Sequence, residues 1–408
     1  MEHLEQTICE LFAGVGGFRV GFDRSSGEWD TVWFSQWEPE KKNQYAYDCY
    51  VQHFETCNDL DGRCDTANMN ISLMDKRKIP DHNVLVGGFP CQDYSVAHSL
   101  SSSNGIEGKK GVLWWQIRDT LEAKRPAFCL FENVDRLLKS PAKQRGRDFG
   151  IILSCLNSLG YSAEWRVIDA STYGGAQRRR RTFIFCYRND TNYATQITPL
   201  ADEPYSILRE SGFMARSFPV SELSTVTSCV LPNSILEVSD KFVFTFLSAG
   251  IMSDGMIYTA NAVPKFEPSV PLLFILEKDV AEKYYVTNLD KWKYLKGSKR
   301  IERTSRDGHT YTYSEGAIAF PDSLDLPGRT MLTSEGSLNR CSHLIRDPET
   351  ERFRILTPVE AERLNGFDDN WTVGMPERMR YFCMGNALVV PMITRMAKEL
   401  ALIIGCEP

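Results

Sequence analysis

Histidine is scarce, with 6 in 408 residues, and none of the 12 cysteines forms a Cys-x-x-Cys pair. That combination gives little support to a structural zinc site, and no metal is expected. No apolar run approaches the ~18–20 residues that span a bilayer. Met1–Thr7 is polar and acidic, without the apolar core of a signal peptide. The expected setting is therefore the cytoplasm, away from membranes, with most thiols reduced and buried. Neither charge sign dominates, since 47 Lys+Arg face 53 Asp+Glu for a net −6. This balance argues weakly against nucleic-acid binding, but binding depends on local patches. Two basic patches exist: Gln177-Arg178-Arg179-Arg180-Arg181, and the series Lys291, Lys293, Lys296, Lys299, Arg300, Arg303, Arg306. Out of context, such runs are usually solvated faces.

From residue 7 to about 188, short apolar runs alternate with amphipathic segments. Thr7–Phe12, Thr31–Ser35, Val84–Val86, Phe128–Phe131, Ala163–Ile168 and Thr182–Cys186 read as strands. Lys42–Phe54, Val112–Ala123 and Asp148–Leu159 read as helices, the last stopped by Gly160. The alternation predicts an α/β protein with a wound sheet whose ligands sit at the carboxyl ends of its strands. Residues 190–345 lose helical periodicity, contain β-like pieces such as Lys241–Leu247, and are expected to form a smaller, largely irregular domain. Thr357-Pro358-Val359-Glu360 has the residues of a capping box with proline at the first helical position. A final amphipathic helix is expected from about Pro391 to Ile404. The expected division is 1–189, 190–345 and 346–408, with the last helix packing back on the first domain.

Glu10-Leu11-Phe12-Ala13-Gly14-Val15-Gly16-Gly17 is a strand running into a Gly-rich turn. Glycines allow a tight turn and close approach of a ligand to the backbone, and Phe12 could stack on an adenine ring. The spacing departs from the dinucleotide G-x-G-x-x-G, so taken alone the turn is ambiguous. Gln36-Trp37-Glu38 ends the next strand, where a ribose-binding acid is expected, with Glu38 the natural candidate. The strand at Val84–Gly88 delivers Phe89-Pro90-Cys91-Gln92. A cysteine after proline on such a loop suits a nucleophile, although most cysteines are simply packed. Another strand ends in Phe131-Glu132-Asn133-Val134, which places a carboxyl group for general-acid work.

The glycine turn, Pro-Cys-Gln, Glu-Asn-Val, Gln-x-Arg-x-Arg (Gln177, Arg179, Arg181) and Gly385-Asn386-Ala387-Leu388-Val389-Val390-Pro391 occur in one order. That order resembles the bacterial cytosine-C5 DNA methyltransferases from residue 7 to about 400, residues 190–345 corresponding to their variable target-recognition domain. The resemblance implies a Rossmann-like class I methyltransferase sheet binding S-adenosylmethionine and releasing S-adenosylhomocysteine. It implies Cys91 as the nucleophile at C6 of cytosine, Glu132 at N3 and the exocyclic amine, Arg181 at O2, and Arg179 near the nucleophile's side of the ring. The target base must be flipped from the double helix for this chemistry.

For the cofactor, Phe12, Gly14, Gly16 and Gly17 match the family's first motif, and Leu113, Asn386 and Ala387 match positions around the methionine end. The ribose-binding acid falls in no clean register, leaving Gln36 or Glu38 beside Trp37. Asn70-Ile71 stands where the family has Asp-Ile at the adenine amino group, and Asn keeps a carbonyl acceptor. Ser95 resembles a phosphate contact, in a stretch to about Gly111 whose Ser and Gly content suits closure over DNA. Gln177 and Arg178 join it as expected DNA contacts, with Arg180 a phosphate contact or plain surface charge. Lys291, Lys293, Lys296, Lys299 and Arg300 are expected on the DNA-facing side of the recognition domain. Arg354 and Arg363 are expected to support that domain.

The implied partner is double-stranded DNA, bound by a monomer in a restriction-modification system with an endonuclease as genetic partner. The common regions most resemble type II enzymes modifying GATC. The alternatives weighed are a tRNA cytosine-C5 methyltransferase, a silent DNA-binding protein, and a cysteine hydrolase using Cys91 with His98. The last leaves the glycine turn and Glu132 unexplained.

Overall fold

The computed structural model of the chain describes residues 4–39, 41–54, 68–89, 113–198, 203–305 and 307–408. The apolar runs form β1 (Thr7–Leu11), β2 (Asp30–Ser35), β3 (Val84–Gly88), β4 (Phe128–Val134), β5 (Tyr161–Asp169) and β6 (Arg180–Arg188). Val84, Leu85 and Val86 are fully buried, as strands covered on both faces are. β2, β1, β3 and β4 pair in parallel, and β6 and β5 follow antiparallel. The chain builds outward from β1 to β2 on one side and to β3 and β4 on the other. The carboxyl ends of β1 and β3 thus flank a topological switch point, where wound sheets bind ligands.

Further along come β7 (Val220–Leu223), β8 (Thr227–Val230), β9 (Ala249–Ser253), β10 (Met256–Ala260) and β11 (Ala262–Pro264). β9, β10 and β8 continue the same sheet to nine strands, in the order β2-β1-β3-β4-β6-β5-β9-β10-β8. The boundary expected at 189/190 therefore falls inside one compact unit, Met1–Tyr173 with Arg180–Glu267 and Val390–Pro408. The packing reason is local. Gly250 on β9 lies opposite Trp165 on β5, and a Cβ on Gly250 would sit 1.9 Å from the indole. The indole Nε1–H donates to Leu247 O at 3.2 Å. Lys241–Leu247 is not a strand: Phe246 instead packs edge-on against Phe149 and Trp165, with centroids at 4.9 and 5.6 Å.

Helices in this unit include Gly17–Asp23, Tyr45–Phe54, Leu113–Lys124, Arg147–Ser158 and Val390–Ile404. Gly160, with φ 78°, follows the fourth as anticipated. The last packs on the first where Gly21 meets Ile393. None of the helices among the described residues is long and apolar enough to cross a membrane.

The second unit comprises Gly174–Arg179 and Pro268–Val389. It holds the ribbon β12 (Lys299–Thr304) and β13 (Thr310–Glu315), the short pair β14 (Ile345–Arg346) and β15 (Phe353–Arg354), and helices Leu289–Lys296, Pro358–Asn365 and Glu377–Asn386. The capping box is present: Thr357 accepts from the Glu360 N–H while the Glu360 carboxylate accepts from Thr357 N–H. Glu360 also takes both Nη atoms of the fully buried Arg354 at 2.8 Å, and Asp347 accepts from its Nε at 2.6 Å. Arg363 grips Asp369 and the carbonyls of Ile275 and Leu276.

Because the Trp165–Gly250 contact fuses β9 to the main sheet, Gly250→Ala should lower the stability of the first unit by about 1–3 kcal/mol through overpacking. Urea unfolding followed by tryptophan fluorescence measures this, and an unchanged midpoint would contradict the fused sheet.

Candidate active site

The direction of β6 decides what meets at the sheet's carboxyl edge. Antiparallel to β4, it begins where β4 ends, with Arg181 paired to Val134 and Phe183 to Glu132. Glu132 and Arg181 are therefore diagonal neighbours on one face. Arg181 Nε lies 2.7 Å from Glu132 Oε1, and both side chains keep a fraction of their surface open, 18% and 15%. Gly88, paired with Glu132 across β3 and β4, leaves the space: a Cβ there would come 3.2 Å from Glu132 Oε2. Asn133 is buried, and its Nδ2 donates to Phe89 O at 2.7 Å. Phe89 also packs against Trp114 and Phe131, with centroids at 5.6 and 6.3 Å. Phe89 and Trp114, on either side of the 90–112 stretch in sequence, are thus held side by side. Cys91 and Ser95, with Pro90 and Gln92, lie outside the described residues.

At the end of β1 the turn takes left-handed conformations at Phe12 (φ 56°), Gly14 (φ 57°) and Gly16 (φ 87°). Gly16 precedes the helix at Gly17, and a Cβ on it would strike the Phe54 ring at 2.5 Å. A Cβ on Gly14 would meet nothing within 4 Å among the described residues, which leaves that stretch of backbone open to a ligand. Gln36 Oε1 accepts from Gly14 N–H at 2.8 Å, which ties the end of β2 to the turn. Trp37 is exposed. Glu38 is partly buried, burial lifts its carboxyl above the usual range against a weaker pull from Lys41, and its Oε2 has no hydrogen-bond partner among the described residues. Asn70 caps the turn Ile71–Leu73, its Oδ1 accepting from Ser72 N–H at 3.0 Å and Ser72 Oγ at 2.8 Å. Ile71 is buried beside it, and Leu113 opens its helix half-buried against the core.

Several expected contacts are corrected. Gln177 is fully buried, not at a DNA surface: its Nε2 donates to Asn365 Oδ1 at 3.0 Å and its Oε1 accepts from Met331 N–H at 2.9 Å. Arg179 is likewise interior, its Nη1 and Nη2 donating to Met331 O at 3.0 Å and Gly385 O at 2.9 Å. Those carbonyls engage the guanidinium inside the second unit. Arg178 and Arg180 are exposed, Arg180 standing 3.5 Å from Asp135. Lys296, expected on a surface, is buried with its Nζ donating to Ser342 O at 2.7 Å and 3.5 Å from Asp322. Lys291, Lys293 and Arg300 are exposed, and Lys299 is half-buried near Glu315. Asn386 is exposed at the end of its helix, with Ala387 half-buried next to it.

The sequence did not single out Gly88, Asn133 as the anchor of Phe89, or Glu10. Glu10 lies buried on β1, taking a hydrogen bond from Tyr50 Oη at 3.0 Å. Only the Glu-Asn-Val motif hinted at one of the three, through Asn133.

An open turn after β1 lies at the switch point where wound sheets bind ligands, and a carboxylate–guanidinium pair stands at the end of β4. Solved structures share the fold: Spodoptera frugiperda DNMT2 matches with a TM-score of 0.60 at 14% identity over 98% of this chain and 99% of that one. S. pombe Dnmt2 methyltransferase gives 0.57 at 14% over 98% of both. The model of the C-5 cytosine-specific DNA methylases matches residues 6–401, so the chain belongs to that family and is a DNA (cytosine-5)-methyltransferase. Among its relatives, type II methyltransferase M.Sau3AI of Staphylococcus aureus is 49% identical, spanning 96% of this chain and 95% of its own. Type II methyltransferase M.NgoBI of Neisseria gonorrhoeae is 33% identical over 97% and 92%.

Burial pushes the Glu10 carboxyl up to about 8 from 4.5, with the Tyr50 hydrogen bond and Arg19 pulling the other way. The folded protein thus keeps a proton between those pH values that the unfolded chain releases, and stability falls as pH rises through that window. Glu10→Gln should flatten this slope; equal slopes in urea titrations at pH 5 and pH 8 would show Glu10 is not the group responsible.

Proposed function

We propose that this enzyme is the modification methyltransferase of a type II restriction-modification system, acting on a cytosine flipped out of duplex DNA, within GATC, with Cys91 as nucleophile. The observation that carries the reading is the Glu132–Arg181 pair, 2.7 Å apart beside the strand end that runs into Cys91. The type II names of the relatives support the biological setting.

Cytosine shows an amine at N4, an acceptor at N3 and an acceptor at O2 along one edge. A carboxyl group beside a guanidinium is complementary to that edge. Glu132 accepts from N4 and stabilises the proton gained at N3, while Arg181 donates to O2. Withdrawing electrons from the ring in this way makes C6 electrophilic towards the Cys91 thiolate. Sulfur addition at C6 turns C5 into an enamine carbon, and after alkylation loss of the C5 proton expels the thiolate. The cofactor of the family, S-adenosylmethionine, supplies the methyl electrophile when bound.

The residues present fit that cofactor. Gly14 offers open backbone, and Glu38 Oε2 is a buried acceptor with no donor among the described residues, which a ribose hydroxyl would supply. With Gln36 Oε1 occupied by Gly14 N–H, Glu38 takes the ribose in this reading. Phe12, Gly16, Gly17, Trp37, Ile71 and Leu113 are assigned to the rest of the cofactor. Asn70 contributes least, because its oxygen already serves Ser72. Ser95 and Arg178 are assigned to DNA phosphates, and sequence recognition to the second unit. The tRNA alternative is not favoured, since the matching family is described by its action on DNA.

Cys91→Ala should abolish methyl transfer to duplex DNA, and Glu132→Gln should slow it by roughly 10²–10⁴-fold. A duplex carrying 5-fluorocytosine at the target lacks the C5 proton that elimination needs, so it should trap a covalent adduct with the wild-type protein and none with Cys91→Ala. An adduct formed by the alanine variant would remove Cys91 from the mechanism. Bisulfite sequencing of DNA from an expressing host tests the target, with converted cytosines at every GATC overturning that assignment.

A further inference from the structure

In the second unit, β12 and β13 pair from Lys299–Glu315 to Thr304–Thr310 and close through Ser305 and His309, with Gly308 at φ 78°. The root of this ribbon is fixed. Arg340 lies 2.8 Å from Glu315, and Lys296 and Arg329 converge on Asp322 at 3.5 and 2.5 Å. Beyond the root, Glu302–Thr304 and Thr310–Thr312 are exposed at every residue, so neither face is covered. A two-stranded ribbon is marginal by itself in water, and this one projects with little burial at its tip.

Strand alternation sorts its side chains into two faces. Ile301, Arg303, Tyr311 and Tyr313 share one, where the Arg303 guanidinium stacks 3.9 Å from the Tyr313 ring centre and stiffens the ribbon. The other carries Arg300, Glu302, Thr304, Thr310, Thr312 and Ser314: a guanidinium, a carboxylate and four hydroxyls, with no large apolar group. Arg300 has no ion-pair partner among the described residues, and exposed Lys291 and Lys293 lie on the helix just before the ribbon. The major groove admits a two-stranded ribbon and shows the donors and acceptors that these groups complement. A carboxylate in a phosphate-rich setting is unfavourable unless a base amine donates to it, which is what Glu302 would find there.

Resting on the reading that the enzyme acts on duplex DNA, we propose that this polar face enters the major groove and reads bases. Arg300 donates to a guanine, Glu302 accepts from an exocyclic amine of cytosine or adenine, and Lys291 and Lys293 hold phosphates.

The test uses the full-length protein and the duplex that bisulfite sequencing identifies as its substrate. Arg300→Ala and Glu302→Gln should each lower kcat/KM on that duplex by roughly 5–150-fold and admit sites changed at one base pair, with little effect on binding to unrelated duplex. The double variant Lys291→Ala/Lys293→Ala should instead weaken binding to all duplexes alike and make the salt dependence shallower by about two. These are exposed positions, so thermal unfolding should match the wild type. If the wild type methylates DNA and both ribbon variants keep its rate and site set, the assignment is overturned. Uniform loss on every duplex with unchanged site preference overturns it too, by making Arg300 a phosphate contact. A wild type that methylates only RNA defeats the underlying reading instead.

Discussion

The structure depends on one reversal, the antiparallel entry of β6 beside β4. Were β6 parallel to its neighbour, Arg181 would start at the far edge, a strand's length of roughly 20 Å away. Reversed, it begins where β4 ends, and the guanidinium meets a carboxylate 2.7 Å off. Neighbouring residues serve that meeting. Gly88 leaves room for the carboxylate, and Asn133, pointing the other way, fastens Phe89 two residues before Cys91. A pair kept partly open costs less desolvation than a buried one.

The string Gln177–Arg181 shows how charge count misleads when side-chain direction is ignored. Gln177 and Arg179 turn inward, Arg178 and Arg180 outward, and Arg181 stops at the edge with Glu132. The two inward residues make their hydrogen bonds within the second unit, while β6 begins the first unit's strand at Arg180. Five consecutive residues therefore serve interior cohesion, solvent and the site by turns. Lys296 repeats the lesson: the one lysine of its series that is buried is held by Ser342 and Asp322.

What was legible in the sequence was whatever is decided locally. Continuous apolar runs gave β1 to β6, turn glycines ended elements, and Thr357 to Glu360 announced a helix that forms as read. The motifs brought out Glu132 and Arg181 for the same reason, since each sits at the end of a recognisable strand. Residues 227–260 were missed because their pairing is long-range: β8 is mostly exposed and carries no apolar run, and β9 contains the glycine that only Trp165 explains. Phe242, Phe244 and Phe246 alternate like a strand, yet the alternation comes from rings packing together rather than from a ladder. Glu10 and Gly88 matter only through partners on other elements, Tyr50 and Glu132, and no spacing along the chain reveals them.

The two candidates at the end of β2 differ in a way that hydrogen bonding can separate. Gln36 offers an oxygen and an amine, and its oxygen locks the glycine turn by accepting from Gly14. A carboxylate in its place could accept the same bond, but at the cost of a second charge close to Glu38. Glu38 has the opposite problem, an oxygen withdrawn from water with nothing among the described residues donating to it and a carboxyl held above its usual range by burial. No further protein group among the described residues relieves that condition. Gln36 thus shapes the turn, while Glu38, two residues on, keeps an oxygen without a donor among the described residues.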